Sequence, residues 1–377
     1  MELGPVKPRE RLVTLDALRG FALLGVLLGN LAHLYSGFAQ HWHPPRNASD
    51  TFARTFITLV VQSKAQTLLT LLFGFGFATQ LLRAEARHEP ILGVYWRRIA
   101  ALLAFGIAHV TLLWWGDVLW TYAVTAPFLL LFLRASNRTR VIVGVLLILV
   151  PAMIWALPGV DQHVYGWLLD PALRRSHGDQ LYAAIRGTDH LHVMKVQSTY
   201  VAYWIGGSWP SYFAWLVGNF LLGYVVGNLR WFERDGAEHL PAFRRLFLVG
   251  LVLGGVGTGV TVFGMHHGFD GYILQWPAML ALGAVEMFDY AGLAILFTAS
   301  VVLLAQRPWW RSAFAILAPV GRMPLTTYLS QSVICTFLIY GWGLGWITWL
   351  DEIDYLVLGV AIFIIQIGLC HLWLRKF

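Results

Sequence analysis

Asp16 and Arg19, two charged residues in the first long apolar stretch, raise the first chemical question. Their i, i+3 spacing puts them on one helix face, where they can pair. Either the pair neutralises itself at a membrane interface and fixes helix register, or Asp16 orients Arg19 toward a phosphate or carboxylate. Fourteen residues on comes Asn30, about 21 Å further along a helix. His33 follows one turn later, then His41 and His43 on either side of Trp42, ahead of Pro44-Pro45. A neutral imidazole serves as a general base toward a hydroxyl or an amine, though a solvated loop histidine looks the same in sequence. His41-x-His43 lacks a third ligand at a recognisable spacing, so no metal is expected.

Further along, His109 lies mid-way through an apolar run that ends in Trp114-Trp115-Gly116-Asp117. An intramembrane histidine is either a functional group or a satisfied helix–helix hydrogen bond. Glu286 and Asp289 repeat the i, i+3 pattern with two acids. Two carboxylates that close rarely stay charged together in a low dielectric, so a proton or a basic partner such as Arg322 is expected. Lys64 and Gln66 open the second apolar run, Gln331 and Ser332 lie inside the ninth, and His371 belongs at an interface. Cys335 and Cys370, each in an apolar run, read as small hydrophobes.

Long apolar elements must carry these groups. Of the 377 residues 58% are hydrophobic and only 12% charged, with 18 Trp and 37 Gly, whereas a soluble domain is about one-quarter charged. Apolar runs near 14–34, 66–83, 96–115, 118–134, 140–158, 211–229, 246–264, 286–306, 323–341 and 354–374 are each long enough to approach a bilayer's thickness. The expectation is an all-α polytopic membrane protein of about ten transmembrane helices, forming one integral domain over 1–377. In it, residues 1–159 hold five spans, 160–209 an outer cap rich in His and aromatic residues, and 210–377 five more. A short amphipathic helix is expected over 52–62, and a re-entrant or tilted lead over 273–285. Gly250, Gly254, Gly255, Gly257 and Gly259 suit close helix packing.

Lys and Arg fall in every second loop, at Lys7 to Arg11, Arg83 to Arg98, Arg134 to Arg140, Arg230 to Arg245, Arg307 to Arg311 and the C-terminus. That pattern places both termini in the cytoplasm. The net charge of +7 is spread over these loops and forms no patch, which argues against nucleic acid. Membrane lipids are the expected surroundings, and a homodimer stays open.

The run Leu15-Asp16-Ala17-Leu18-Arg19-Gly20-Phe21 resembles the opening of the YeiB-like family, bacterial membrane proteins carrying domain of unknown function 418. Thr70 to Ala78, His109 to Leu119 and Pro319 to Ser332 resemble it too. The family continues a little past Phe377, so the C-terminus is expected to be clipped. More distantly, the Leu-Asp-x-x-Arg-Gly opening resembles the transmembrane acyltransferase superfamily. There the Asp is followed after fourteen residues by a functional Asn, and after eleven more by the catalytic His. Those intervals reach Asn30 and His41 here, with His43 two residues away. The resemblance implies a bacterial inner-membrane enzyme that moves an acyl group, acetyl above all, from cytoplasmic acyl-CoA to an extracytoplasmic hydroxyl or amine on a glycan or small metabolite. His41 (or His43) would be the base, Asn30 the oxyanion donor and Asp16 an orienting acid, with Arg19, Arg97, Arg98 and Arg322 near the phosphates. Two other classes remain expected alternatives. One is a proton-coupled transporter or flippase whose Glu286, Asp289 and His109 relay protons, with Asp117 and Gln331 as further polar candidates; the other is a membrane sensor or scaffold.

Overall fold

The computed structural model describes residues 12–35, 45–88, 90–156, 171–267 and 276–376. Among them every regular element is helical, and there is no strand. Such a backbone satisfies its own hydrogen bonds without water, as lipid demands. Five helical stretches, Val13–His33, Ala48–Ala86, Glu233–Gly264, Leu280–Ala305 and Glu352–Lys376, are long and apolar enough to cross a membrane.

Helix α1 (Val13–Asn30) is largely buried and runs on into a π-helical turn, Leu31–Tyr35. Helix α2 (Ala48–Phe56) starts where the Asn47 side chain accepts the Asp50 N–H at 2.9 Å. It begins before the expected 52 and changes at Ile57 into a second π-helical turn. Ser63, with φ of 62°, then turns the chain into α3 (Lys64–Ala86).

Helix α4 (Ile91–Leu112) and the short α5 (Leu119–Thr125) follow. The expected fourth span is not one α-helix, because from Ala126 to Phe132 it tightens into a 3₁₀ helix. Pro127, which has no N–H to donate, stands at that change. After α6 (Asn137–Ala156) and α7 (Pro171–Arg186) comes α8 (His190–Asn228), 39 residues long. It passes without interruption through the boundary expected between cap and sixth span, so the end of the cap and the span are one rod.

The remaining helices are α9 (Leu240–His267), α10 (Trp276–Ala305), α11 (Pro308–Arg322), α12 (Pro324–Ile339) and α13 (Glu352–Lys376). Helix α10 is continuous from Trp276, so that part of the expected broken lead is its first turns. Helix α11 was not expected. It is a short amphipathic helix started by Pro308, in a stretch that reads as a basic loop.

The burial pattern is that of a lipid-facing bundle. Val357, Ile364 and Leu372 on α13 and Leu248, Val252 and Val256 on α9 are exposed, while Asp16, Lys64, His109, Asp117 and Asp289 are buried. Helix α1 packs most extensively on α11, α3 on α8, and α9 on α10. The α1–α11 crossing depends on two glycines. A Cβ on Gly321 would fall 1.8 Å from the Asp16 carbonyl oxygen, and one on Gly20 would fall 2.6 Å from that of Leu317. Arg46 and Arg54 on the α2 side pair with Asp351 and Glu352 at the head of α13, tying α2 to the bundle.

Candidate functional site

Two cavities lie along α1, one toward each end. The first, of about 490 Å³, is lined by Arg19, Phe73, Gln80, Arg98, Tyr122 and Tyr328 among mostly apolar side chains. The second, of about 270 Å³, is lined by Asn30, His33, Gln66, Asp117, Trp120 and Tyr212. Leu69 and Val118 line both, so these two side chains form part of the partition between them. The order of lining residues along α3, Gln80 in one and Gln66 in the other, runs opposite to that along α1, as antiparallel neighbours require.

At the Arg19 end, Asp16 accepts from Arg19 Nη1 at 3.1 Å and from Arg322 Nε at 3.3 Å. The expected i, i+3 pair is present, and a second guanidinium joins it from the unexpected helix α11. Arg19 lines the cavity while holding Asp16. Arg98 lines the same cavity and makes no ion pair among the described residues. Arg97 is exposed and lines neither cavity. Of the four basic candidates, then, two face one chamber, Arg322 braces from behind, and Arg97 stands apart.

At the other end Asn30 faces the smaller cavity, as its place on α1 predicts. His33 lines it too. His41 and His43 lie outside the described residues. The polar wall is completed by groups that sequence patterning did not single out as one site. Gln66 donates its side-chain amide to the Tyr212 hydroxyl, and the Thr121 hydroxyl is turned back onto the Val118 carbonyl.

His109 and Asp117 come together although α4 ends between them. His109 Nδ1 lies 2.8 Å from Asp117 Oδ1, and both side chains are enclosed. The Tyr328 hydroxyl donates to the same Oδ1 at 3.4 Å and accepts the Val118 N–H at 3.3 Å. The Trp120 N–H donates to Asp117 Oδ2 at 3.1 Å. Two donors and the His109 ring nitrogen thus converge on one carboxylate, and His109 Nε2 is buried without a hydrogen-bond partner among the described residues. Tyr328 belongs to a block quoted above for its family likeness. Its meeting with Asp117, 211 positions away, has no signature in spacing.

The acids of α10 are resolved differently from expectation. Asp289 pairs with Lys64, not Arg322, at 3.0 Å, with side chains 2% and 3% exposed. Thr258 donates to its other oxygen at 3.1 Å, and Lys64 Nζ also donates to the Thr58 carbonyl at 2.9 Å. Arg322 is unsuited because α11 carries it to α1. Glu286 is exposed and accepts from Tyr290. Gln331 lines neither cavity. It donates to Gln366 Oε1 at 3.0 Å, and Gln366 donates to Ser330 and the Thr327 carbonyl, which makes a polar clamp between α12 and α13. Among the described residues no group of three His, Cys, Asp or Glu is placed to hold a metal.

Against known proteins, the family model described as protein of unknown function DUF418 matches residues 226–377. The chain is 30% identical over 407 aligned positions to "Uncharacterized protein YxaH" of Bacillus subtilis, covering 100% of this chain and 93% of that protein. It is 28% identical to "Uncharacterized protein YeiB" of Escherichia coli, over 98% of this chain and 93% of the other. It is also 26% identical to a 39.9 kDa protein encoded 3' of an amylase gene in Bacillus acidopullulyticus, over 99% and 92%. No solved structure matches. Both cavities fall within the length shared with these relatives, although α1, α3 and α4 lie outside the stretch matched by the family model.

Proposed function

We propose, from the premise that this chain belongs to the DUF418 family, that it is a transmembrane acyltransferase of the bacterial inner membrane. The observation that carries the reading is the pair of cavities set back to back on α1, with Leu69 and Val118 between them. A reaction between reactants arriving from opposite faces of a membrane needs such a layout. It also needs a partition thin enough for them to meet. With about ten spans and cytoplasmic termini, the Arg19 cavity faces inward and the Asn30 cavity outward.

Acyl-CoA, acetyl-CoA above all, enters the inner cavity. Its phosphates are held at the mouth by Arg19 and Arg98, whose guanidinium groups suit phosphate geometry. The thioester reaches the partition, and an acceptor hydroxyl or amine of a glycan or small metabolite enters the outer cavity. There Asn30 donates a hydrogen bond to the oxyanion of the tetrahedral intermediate. By family likeness His41, or His43, takes the acceptor's proton. The buried Lys64–Asp289 pair favours a second reading, a proton-coupled transporter, because ionisable groups inside a membrane bundle mark functional sites, proton relays among them.

Binding of acetyl-CoA to the purified full-length protein, followed by thermal shift, tests the first reading. The wild type gains stability with ligand. Arg19→Ala and Arg98→Ala each weaken binding roughly tenfold or more, the scale of a lost hydrogen bond to a charged group. Asp16 keeps Arg322 in the Arg19→Ala protein, so the fold is retained. No shift in the wild type, or full affinity in both variants, removes the acyltransferase reading.

A further inference from the structure

An acyl transfer across a partition separates the loss of a proton from its uptake. The acceptor loses its proton on the outer side, while the C–S bond breaks on the inner side and leaves a thiolate there. Among the described residues a direct side-chain hydrogen bond joins a lining residue of one chamber to a lining residue of the other. Asp117 lines the outer cavity, Tyr328 lines the inner one, and the Tyr328 hydroxyl donates to Asp117 Oδ1 at 3.4 Å. Val118, which lines both cavities, donates its N–H to that same hydroxyl at 3.3 Å. The 3.4 Å contact is long for O–H···O and of the kind that shortens once reactants are bound.

We propose that Asp117 and Tyr328 form the proton path through the partition, with Tyr328 protonating the leaving thiolate and Asp117 reprotonating Tyr328. This deepens the acyltransferase reading and rests on it. The balance is complete. The acceptor's O–H or N–H proton is released on the outer side and taken up by Asp117, which lines that cavity, the new C–O or C–N bond forms, and the C–S bond breaks. Tyr328 gives its proton to sulfur, releasing CoA as the thiol, and recovers one from Asp117. Tyr328 meets the leaving sulfur and is the catalytic residue of this path, while Asp117 carries the proton to it. His109 acts through Asp117 and is a positioning residue. Its Nδ1 at 2.8 Å, with the Trp120 N–H at 3.1 Å, fixes the carboxylate so that Oδ1 meets Tyr328. Among the described residues lining the outer cavity, no other carries a carboxyl group.

The test compares two donors with the purified full-length protein and glucosamine as probe acceptor. Acetyl-CoA releases a thiolate more basic than 4-nitrophenolate, so its departure gains more from a proton donor than that of the phenolate from 4-nitrophenyl acetate. Tyr328→Phe lowers kcat with acetyl-CoA about a hundredfold, the low end of general acid catalysis. It leaves the acetyl-CoA thermal shift intact and recovers toward the wild-type rate with 4-nitrophenyl acetate. His109→Ala lowers kcat with little change in KM. His109→Asn, which keeps an N–H near the Nδ1 position, restores most of it. Equal loss on both donors, or a wild-type rate in Tyr328→Phe with acetyl-CoA, overturns the proton path. Absence of any acetyl-CoA binding by the wild type instead removes the acyltransferase reading beneath it.

Discussion

Lys64 and Asp289 face each other at 3.0 Å with almost no solvent. Desolvating two charges is expensive, and their attraction offsets the cost only while both are present. Lys64→Met leaves Asp289 with the Thr258 hydroxyl alone, and the prediction is a loss of roughly 3–5 kcal/mol. The double variant Lys64→Met/Asp289→Leu regains most of it, read as thermal unfolding in detergent. This cycle also separates the two functional readings. A structural pair tolerates the apolar exchange with acetyl transfer intact, whereas a proton relay loses its activity in the double variant. At this scale the sequence reports that the Glu286 and Asp289 pair calls for a proton or a basic partner. It does not report which one, because a buried acid pairs with whatever cation the packing of distant helices delivers.

Helix packing shows the same division among the glycines of α9. All five of Gly250, Gly254, Gly255, Gly257 and Gly259 read alike as small residues for close approach. In the structure Gly250, Gly254 and Gly257 press on Leu296, Leu293 and Asp289 of α10, while Gly255 and Gly259 meet nothing within 4 Å. The prediction has opposite signs within one stripe. Gly250→Ala, whose Cβ would fall 2.6 Å from the Leu296 nitrogen, forces the helices apart and costs about 1–3 kcal/mol. Gly255→Ala and Gly259→Ala are neutral or stabilise by up to about 1 kcal/mol, since alanine is the better helix former. Melting temperatures of the three variants check this, and a fall in all three would mean that the far face of α9 is covered. The missed helix α11 is the other lesson at this scale. Its length and amphipathic pattern fall short of a span, yet it brings Arg322 to Asp16.

For the whole molecule the cavities predict sidedness. Gln80 lines the larger cavity and Gln62 the smaller. In a background with Cys335 and Cys370 replaced by serine, a membrane-impermeant maleimide added to intact cells labels Gln62→Cys and spares Gln80→Cys. In inverted vesicles the order reverses, and acetyl-CoA protects Gln80→Cys. Labelling of both from one side would refute the opposed entrances and the inward placement of Arg19.

The sequence by itself determined the all-helical, lipid-facing class, because charge depletion and apolar run length are properties of composition. It also placed Asp16 with Arg19 and set Asn30 at the opposite end of the same helix, because both follow from helical rise and pitch. Tertiary structure alone decided that Arg322 joins Asp16, that Lys64 answers Asp289, and that Tyr328 reaches Asp117 where two cavities meet. Those partners lie hundreds of positions apart, and local periodicity carries no record of which helices will touch. Close approach of backbones, as at Gly20 and Gly321, is what brings them within hydrogen-bonding distance.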